Sequence, residues 1–433
     1  MIRSLDLPDN KYECLIHFFR STAYSLPNLE KKWAEVVASH VEFLKFNDAV
    51  LLIGDGLKRS IEGSRIPGTQ RMHQESENSG KGETIHGHMF GSVMAASADG
   101  PFAIPLSMHL HEGIKETSHW EGSLYSADEH HVQLIRNAYD HSVNLNQKSI
   151  IVLDRLFMNK PTYKELNRLN KSDHRLEIVT RAKRTCVAYM KPEIPEKRGR
   201  GRPKKRGDAV KVFDLFETRK DEFKTITVEV YGKEEEYSCL CMDLLWGPGL
   251  YQEMRFVLTK NSRGKAVFTS TDMNLSPEEI IQIYSHRFKI ERAFKEYKHV
   301  LGGFSYRFWT NAVPELNRFK KSDDPDPLST ITDKHEQKRI LDTIGAIERF
   351  CFFGCVAMGI TQIMAMNKSI AEEAANYRYL RTRTIKHTTE ATIRHYLSDR
   401  LFFGLSTCPG AGITQIIQDQ WSKPGNQHRK KAA

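Results

Sequence analysis

The chain has 433 residues, 39% of them hydrophobic, with 64 Lys and Arg against 54 Asp and Glu, a net charge of +10. This length is ample for a large core and two or three domains, and the composition excludes a disordered or fibrous chain and reads as soluble and globular. The basic balance favours a polyanionic partner, while the N-terminus lacks the apolar core of a signal peptide.

Residues 1–46 carry helix-period apolar positions over 12–24 and 29–44 around Pro27, and are expected to form a helical N-terminal region. Residues 49–54 are a continuous apolar run, as expected of a buried strand, which ends at Asp55-Gly56. A carboxylate at the end of a central strand is well placed for chemistry; an Asp-Gly pair is also a common turn. Residues 57–84 are polar and basic, with Lys58, Arg59, Arg65 and Arg71, and read as a long functional loop. His73, His86, His88, His109 and His111 fit no zinc spacing and are read as surface or hydrogen-bonding histidines.

Strands are expected at 88–97 and 102–109 and a helix at 125–143. A second apolar strand, 149–153, ends at Asp154-Arg155 and is followed by a helix at 161–170 and a strand at 176–180. A meander of strands followed by alternating helices and strands points to a mixed α/β sheet. Residues 186–274 break that rhythm with a charged linker and strands at 225–231, 237–243, 254–259 and 266–271, an all-β insertion. Within it, residues 197–206 hold seven cations, among them Arg200, Arg202, Lys204 and Lys205. Arg200-Gly201-Arg202-Pro203 suits the narrow A·T minor groove; a flexible basic hairpin meeting phosphates is the other reading.

The stretch 274–303 organises the rest. Ser276 can cap a helix, Pro277 fits its first position, Glu279 completes a capping box, and Gly302-Gly303 offers a left-handed stop. On one helix, Tyr284, Arg287, Glu291 and Lys298 fall in an arc roughly 60° wide, beside an apolar stripe of Ile283, Ile290, Phe294 and Tyr297. Such a face holds one carboxylate among two cations and a phenol. Beyond it, 304–309 is aromatic and basic, and 323–327 is a loop. Residues 340–366 are a long apolar helix, interrupted by Gly354, Gly359, Thr361 and Gln362 and better suited to cover a sheet than to span a membrane. Residues 371–399 look helical and basic, and the chain from 422 reads as a disordered tail. The seven cysteines show no paired framework and are read as core thiols in a reducing cytoplasm.

Asp55 and Asp154 follow two strands, and Glu291 lies on a helix that can be laid over them. An all-oxygen cluster of this kind suits Mg²⁺ or Mn²⁺, and two such ions clamp the attacking and leaving oxygens of a phosphodiester.

With these residues the chain resembles bacterial insertion-sequence transposases of the DDE class. It is most similar to the branch marked by a Tyr-(2)-Arg-(3)-Glu-(6)-Lys signature, insertion-sequence family four: Tyr284, Arg287, Glu291 and Lys298 match every spacing. The residues before Asp55 and around Asp154-Arg155 resemble the two aspartate motifs, and the resemblance covers about residues 46–366. It implies an RNase H-like mixed-sheet catalytic core. The resulting partition is a helical region (1–46), a first core half (47–185), a β-rich insertion with a basic linker (186–274), a second core half (275–366) and a C-terminal basic helical region and tail (367–433). The resemblance implies Asp55, Asp154 and Glu291 as a catalytic triad holding two Mg²⁺ (or Mn²⁺) ions, with Tyr284, Arg287 and Lys298 on phosphates of the terminal inverted repeats. Some members stack a flipped base on a tryptophan of the insertion; Trp246 is the candidate here. Where some relatives have tryptophan after the signature arginine, this chain has Phe288.

The expected function is a DNA transposase that cuts the ends of its element and joins them to double-stranded target DNA. The resemblance implies a homodimer in the synaptic complex, in the bacterial cytoplasm at the nucleoid and with no membrane partner. An RNase H-like endonuclease without strand transfer and a domesticated DNA-binding protein are the alternatives.

Overall fold

Successive side chains of a strand point to opposite faces, and Val50, Leu51, Leu52 and Ile53 are all fully buried. The strand that carries them, β1 (Ala49–Ser60), must therefore be covered on both sides. The computed structural model describes residues 11–73, 84–193, 203–315, 326–375 and 388–407 and shows how this is done. β1 pairs antiparallel with β2 (Thr84–Ala96), which pairs antiparallel with β3 (Ala103–Leu110). On its other side β1 runs parallel to β4 (Ser149–Val152), with Val50 opposite Ser149 and Ile53 opposite Val152. β4 in turn runs parallel to β5 (Leu176–Arg181). This is a mixed sheet with an antiparallel meander and two parallel strands, consistent with an RNase H-like DDE domain.

The strands expected in the insertion are β6 (Lys224–Val230), β7 (Lys233–Trp246), β8 (Gln252–Asn261) and β9 (Gly264–Ser270). They form antiparallel pairs in sequence order and join the same sheet, because β9 pairs with β5, Ser270 opposite Val179. An open edge presents unpaired N–H and C=O groups; β9 satisfies those of β5. Thirteen strands of the described residues belong to this one sheet, including short ones at Lys45–Phe46, Gln70–His73, Val187–Tyr189 and Ala209–Lys211.

Two helical layers enclose the sheet. Helix α1 (Lys11–Arg20) lies at the N-terminus. On one face, α2 (Leu26–His40), α3 (His130–Asn144) and α4 (Lys160–Leu169) bury Trp33, Leu134, Ile135 and Tyr163 against Val50 and Leu52. On the other, α5 (Pro277–Ser285), α6 (Phe288–His299) and α7 (Lys334–Met366) bury Ile283, Ile290, Phe294 and Ile347 against Leu51 and Ile53. By length and composition alone α7 is apolar enough to cross a membrane; in the fold its Ile340, Ile344, Cys351, Cys355 and Met358 are buried. Two further helices follow, α8 (Lys368–Ala375) and α9 (Glu390–Thr407).

Three expectations change. The single helix from Ser276 is two, because the amides of His286, Arg287, Lys289 and Ile290 bond three residues back instead of four, which tightens the turn and separates α5 from α6. The segment after Asp55 is less of a loop than its polarity suggested. β1 continues to Ser60, and Gln70–His73 pairs with β2. Among the described cysteines, Cys14 and Cys241 are exposed while Cys186, Cys239, Cys351 and Cys355 are buried, all as free thiols. The tail from 422 lies outside the described residues.

Candidate active site

Asp55 sits inside β1 rather than at its end, yet it is where β1 loses its parallel neighbour. β4 stops at Val152, paired with Ile53, so continuing the register puts Asp55 and Asp154 side by side on neighbouring chains. Asp55 accepts a hydrogen bond from its neighbour's amide, Gly56 N to Oδ1 at 2.8 Å, and a quarter of its side chain, 24%, is exposed. Asp154 leads into a short turn of helix, its carbonyl accepting from Phe157 N at 3.0 Å. The Thr180 hydroxyl of β5 lies 3.0 Å from the carbonyl oxygens of both Leu153 and Asp154. It fixes the backbone where β4 ends.

The facing element begins as its residues dictate. Ser276 Oγ accepts from Glu279 N at 3.1 Å and Glu279 Oε2 from Ser276 N at 2.8 Å, with Pro277 in the first turn. Gly302, at φ 65°, ends the segment, a conformation that costs glycine little. Between these signals Tyr284, on α5, and Glu291, on α6, reach the sheet's end through Arg287. The guanidinium donates from Nη2 to Glu291 Oε1 at 2.5 Å, and its Nη1 lies 3.7 Å from Asp55 Oδ2. Tyr284 packs its ring 4.9 Å from that of Phe268. Burial raises the Tyr284 hydroxyl's pKa, with opposing pulls from Arg287 and Arg181 and a further rise from the charge of Asp154. Asp55, Asp154, Tyr284, Arg287 and Glu291 thus form one electrostatic group.

Burial pushes the Asp55 carboxyl up to about 6; the Gly56 amide and Arg287 oppose the rise, and the charges of Asp154 and Glu291 add to it. Crowded carboxylates of this kind favour a cation among them. As placed, no group of three His, Cys, Asp or Glu among the described residues stands at metal-ligating distance; the cation that touches Asp55 and Glu291 is the Arg287 guanidinium. The donor set nevertheless fits a hard divalent ion, since every candidate ligand is a carboxylate oxygen.

Lys298 is half-buried two turns beyond Glu291 on α6. Trp246 is not brought to this group. Its ring lies 5.1 Å from that of Tyr163 and packs into the core on the other face of the sheet, because the alternation along β7 directs it there. Phe288, by contrast, is 55% exposed beside Arg287. Arg200 and Arg202 lie outside the described residues; Lys204 and Lys205 are exposed. The histidines hydrogen-bond within the protein: His88 to Tyr306 and Pro67, and His111 to His130 and Asn137, while His109 pairs with Glu30.

Thr180, Arg181 and Lys289 were not picked out from the sequence. Thr180 and Arg181 are ordinary strand residues whose proximity to the site comes only from pairing. Lys289, half-buried, donates to the carbonyls of Ser97 and Gly100 at 3.2 and 3.3 Å, and burial lowers its pKa to about 8.

Residues 123–311 match the family described as transposase DDE domain. The matched segment contains Asp154 and the whole stretch from Tyr284 to Lys298, and it supports a transposase function in general terms. No curated protein matches the chain.

Proposed function

We propose that the protein is a DDE transposase that cuts the ends of its own DNA element and joins them to target DNA, with Asp55, Asp154 and Glu291 holding two Mg²⁺ or Mn²⁺ ions. The observation that supports this reading is that one guanidinium joins Asp55 to Glu291, while Asp154 follows the parallel neighbour of the Asp55 strand just past the end of their ladder. When bound, the ions would activate the attacking water or 3′-OH and stabilise the leaving oxygen.

The protein's own groups do the rest. Asp55 and Asp154 present two neighbouring carboxylates from the sheet, and Glu291 closes the set from the facing helix. Arg287 forms a donor fork suited to a phosphate, and Lys298 adds a cation farther along the same helix. Tyr284 offers a hydroxyl beside them. Basic residues, including Lys204 and Lys205, hold the duplex mainly through phosphates. Two protomers act together on paired ends in this reading, as the family resemblance implies.

The experiment is direct. Purified protein is incubated with Mg²⁺ and labelled DNA carrying the boundaries of its own element. Nicked ends and joined products, both missing in Glu291→Gln, are expected. Cleavage without joining would make it a nuclease, and no metal-dependent cleavage of end DNA would sink the reading.

A further inference from the structure

Helix α6 carries Glu291 but does not start with a cap of its own. Arg287, at its N-cap position, has helical angles and makes no side-chain capping bond. The first turn runs on from α5 instead, Lys289 N bonding the His286 carbonyl and Ile290 N the Arg287 carbonyl three residues back. The direction of Glu291 beyond this tightened joint is therefore also set by side chains that tie α6 to the rest of the fold. The residues that do so lie away from it, Arg292 roughly 100° and Lys289 roughly 160° around the helix.

Both grip other parts of the chain. Lys289 bonds the turn between β2 and β3 through Ser97 and Gly100. The Arg292 guanidinium stands 5.8 Å from the Phe102 ring centroid in that turn, and its Nη2 lies 3.6 Å from Oε2 of Glu390. Glu390 is the first residue of α9, and its side chain is 2% exposed. Its Oε1 accepts from Gln362 Nε2 of α7 at 3.2 Å, while Oε2 has no hydrogen-bond partner and faces Arg292. A glutamate in the first turn of a helix complements the macrodipole, but that role does not require burial. Burying a carboxylate costs free energy unless a charge compensates it, and the cation that faces it is on the Glu291 helix.

We propose that Glu390 is a positioning residue: through Arg292 it fixes the rotation of α6, so that the carboxylate set is complete only with the C-terminal helix docked. The proposal rests on the reading of Glu291 as an active-site carboxylate. Glu390 and Arg292 need not touch DNA or metal; their effect passes through the helix.

The test compares amide hydrogen exchange over residues 288–299 with Mg²⁺-dependent cleavage and binding of end DNA, all in the full chain. Glu390→Gln keeps the shape and the Gln362 contact but removes the charge facing Arg292; Arg292→Gln removes the other partner. Each is expected to speed exchange in 288–299, to lower the cleavage rate about ten- to a hundredfold, and to leave end binding unchanged. The double variant should be no worse than either single one, because both act through one contact. Arg292→Lys should recover part of the loss. Tyr396→Phe, which removes a 2.9 Å bond from α9 to Glu373 without touching α6, should change neither readout. Additive losses in the double variant, or unchanged exchange in both single ones, would overturn the proposal. If Glu390→Gln does not fold, Arg292→Lys against Arg292→Gln decides by the same exchange readout. If the native protein cleaves no DNA, the transposase reading falls, while exchange still decides whether Glu390 holds the helix.

Discussion

Helices α5 and α6 follow one another with two residues between them, and they are held in different ways. α5 is fixed at its start by its own residues: Ser276, Pro277 and Glu279 satisfy its first turn. α6 is fixed by neighbours. Lys289 ties it to the turn between β2 and β3 and Arg292 to α9, and Tyr297 anchors its end, donating to the Cys351 carbonyl of α7 at 2.7 Å. The approach is so close that a Cβ on Gly354 would stand 2.7 Å from the Tyr297 hydroxyl, which explains a glycine inside a long helix. The locally capped helix supplies Tyr284, and the tertiary-held one supplies Glu291. A helix held by distant contacts can have its carboxylate adjusted by other parts of the fold, whereas the start of a capped one is fixed by its own sequence.

The sharpest way to break this contrast is Glu291→Gln. Size and packing are kept, so thermal stability should be unchanged. The charge that completes the carboxylate set is gone, so cleavage and joining should fall to background while end binding persists. Near-normal cleavage on end DNA would reduce α6 to a surface helix.

The next effect concerns the segment after α6. His88 accepts from the Tyr306 hydroxyl at 2.6 Å and donates to the Pro67 carbonyl at 2.8 Å, which uses both ring nitrogens of the neutral form. Burial lowers its pKa to about 4 from 6.5. Because the folded value lies below the unfolded one, its stabilising contribution is present above pH 6.5 and is lost as pH falls through 4. The size is at most ~3 kcal/mol. Urea titrations between pH 7 and pH 4 should show this loss, and His88→Gln should shrink it. An equal acid slope in both proteins would remove His88 from the account.

Arg287→Ala should weaken binding to end DNA by ~1–3 kcal/mol through a lost charge-assisted contact. It also frees Asp55 and Glu291 of their guanidinium, so calorimetric Mg²⁺ affinity should not fall. Unchanged end affinity would show that Arg287 serves only the carboxylates.

The smallest effect tests the other helix. Ser276→Ala removes the cap of α5 and should cost ~1 kcal/mol of stability, read as a lower denaturation midpoint. Cleavage by the folded protein should be nearly unchanged, because Glu291 is held elsewhere. A loss of cleavage as large as that in Arg292→Gln would erase the distinction between the two helices.

Much of this was legible in the residues because it is local. The apolar runs before Asp55 and Asp154 made strands, since a stretch buried on both faces needs a continuous apolar sequence. The capping box at Ser276 and the stop at Gly302 did what short-range hydrogen bonding and backbone freedom require. The spacing of Arg287 and Glu291 brought their side chains together, because residues four apart are neighbours over a helical turn. Other features depended on partners far away in the chain. Pairing of β1 with β4 set Asp55 beside Asp154, and pairing of β9 with β5 joined the later strands to the same sheet. The other core face drew Trp246 onto Tyr163, and α9 placed Glu390 against Arg292. Ladder register and burial arise from contacts between segments, and the periodicity of one segment does not specify which distant segment will meet it.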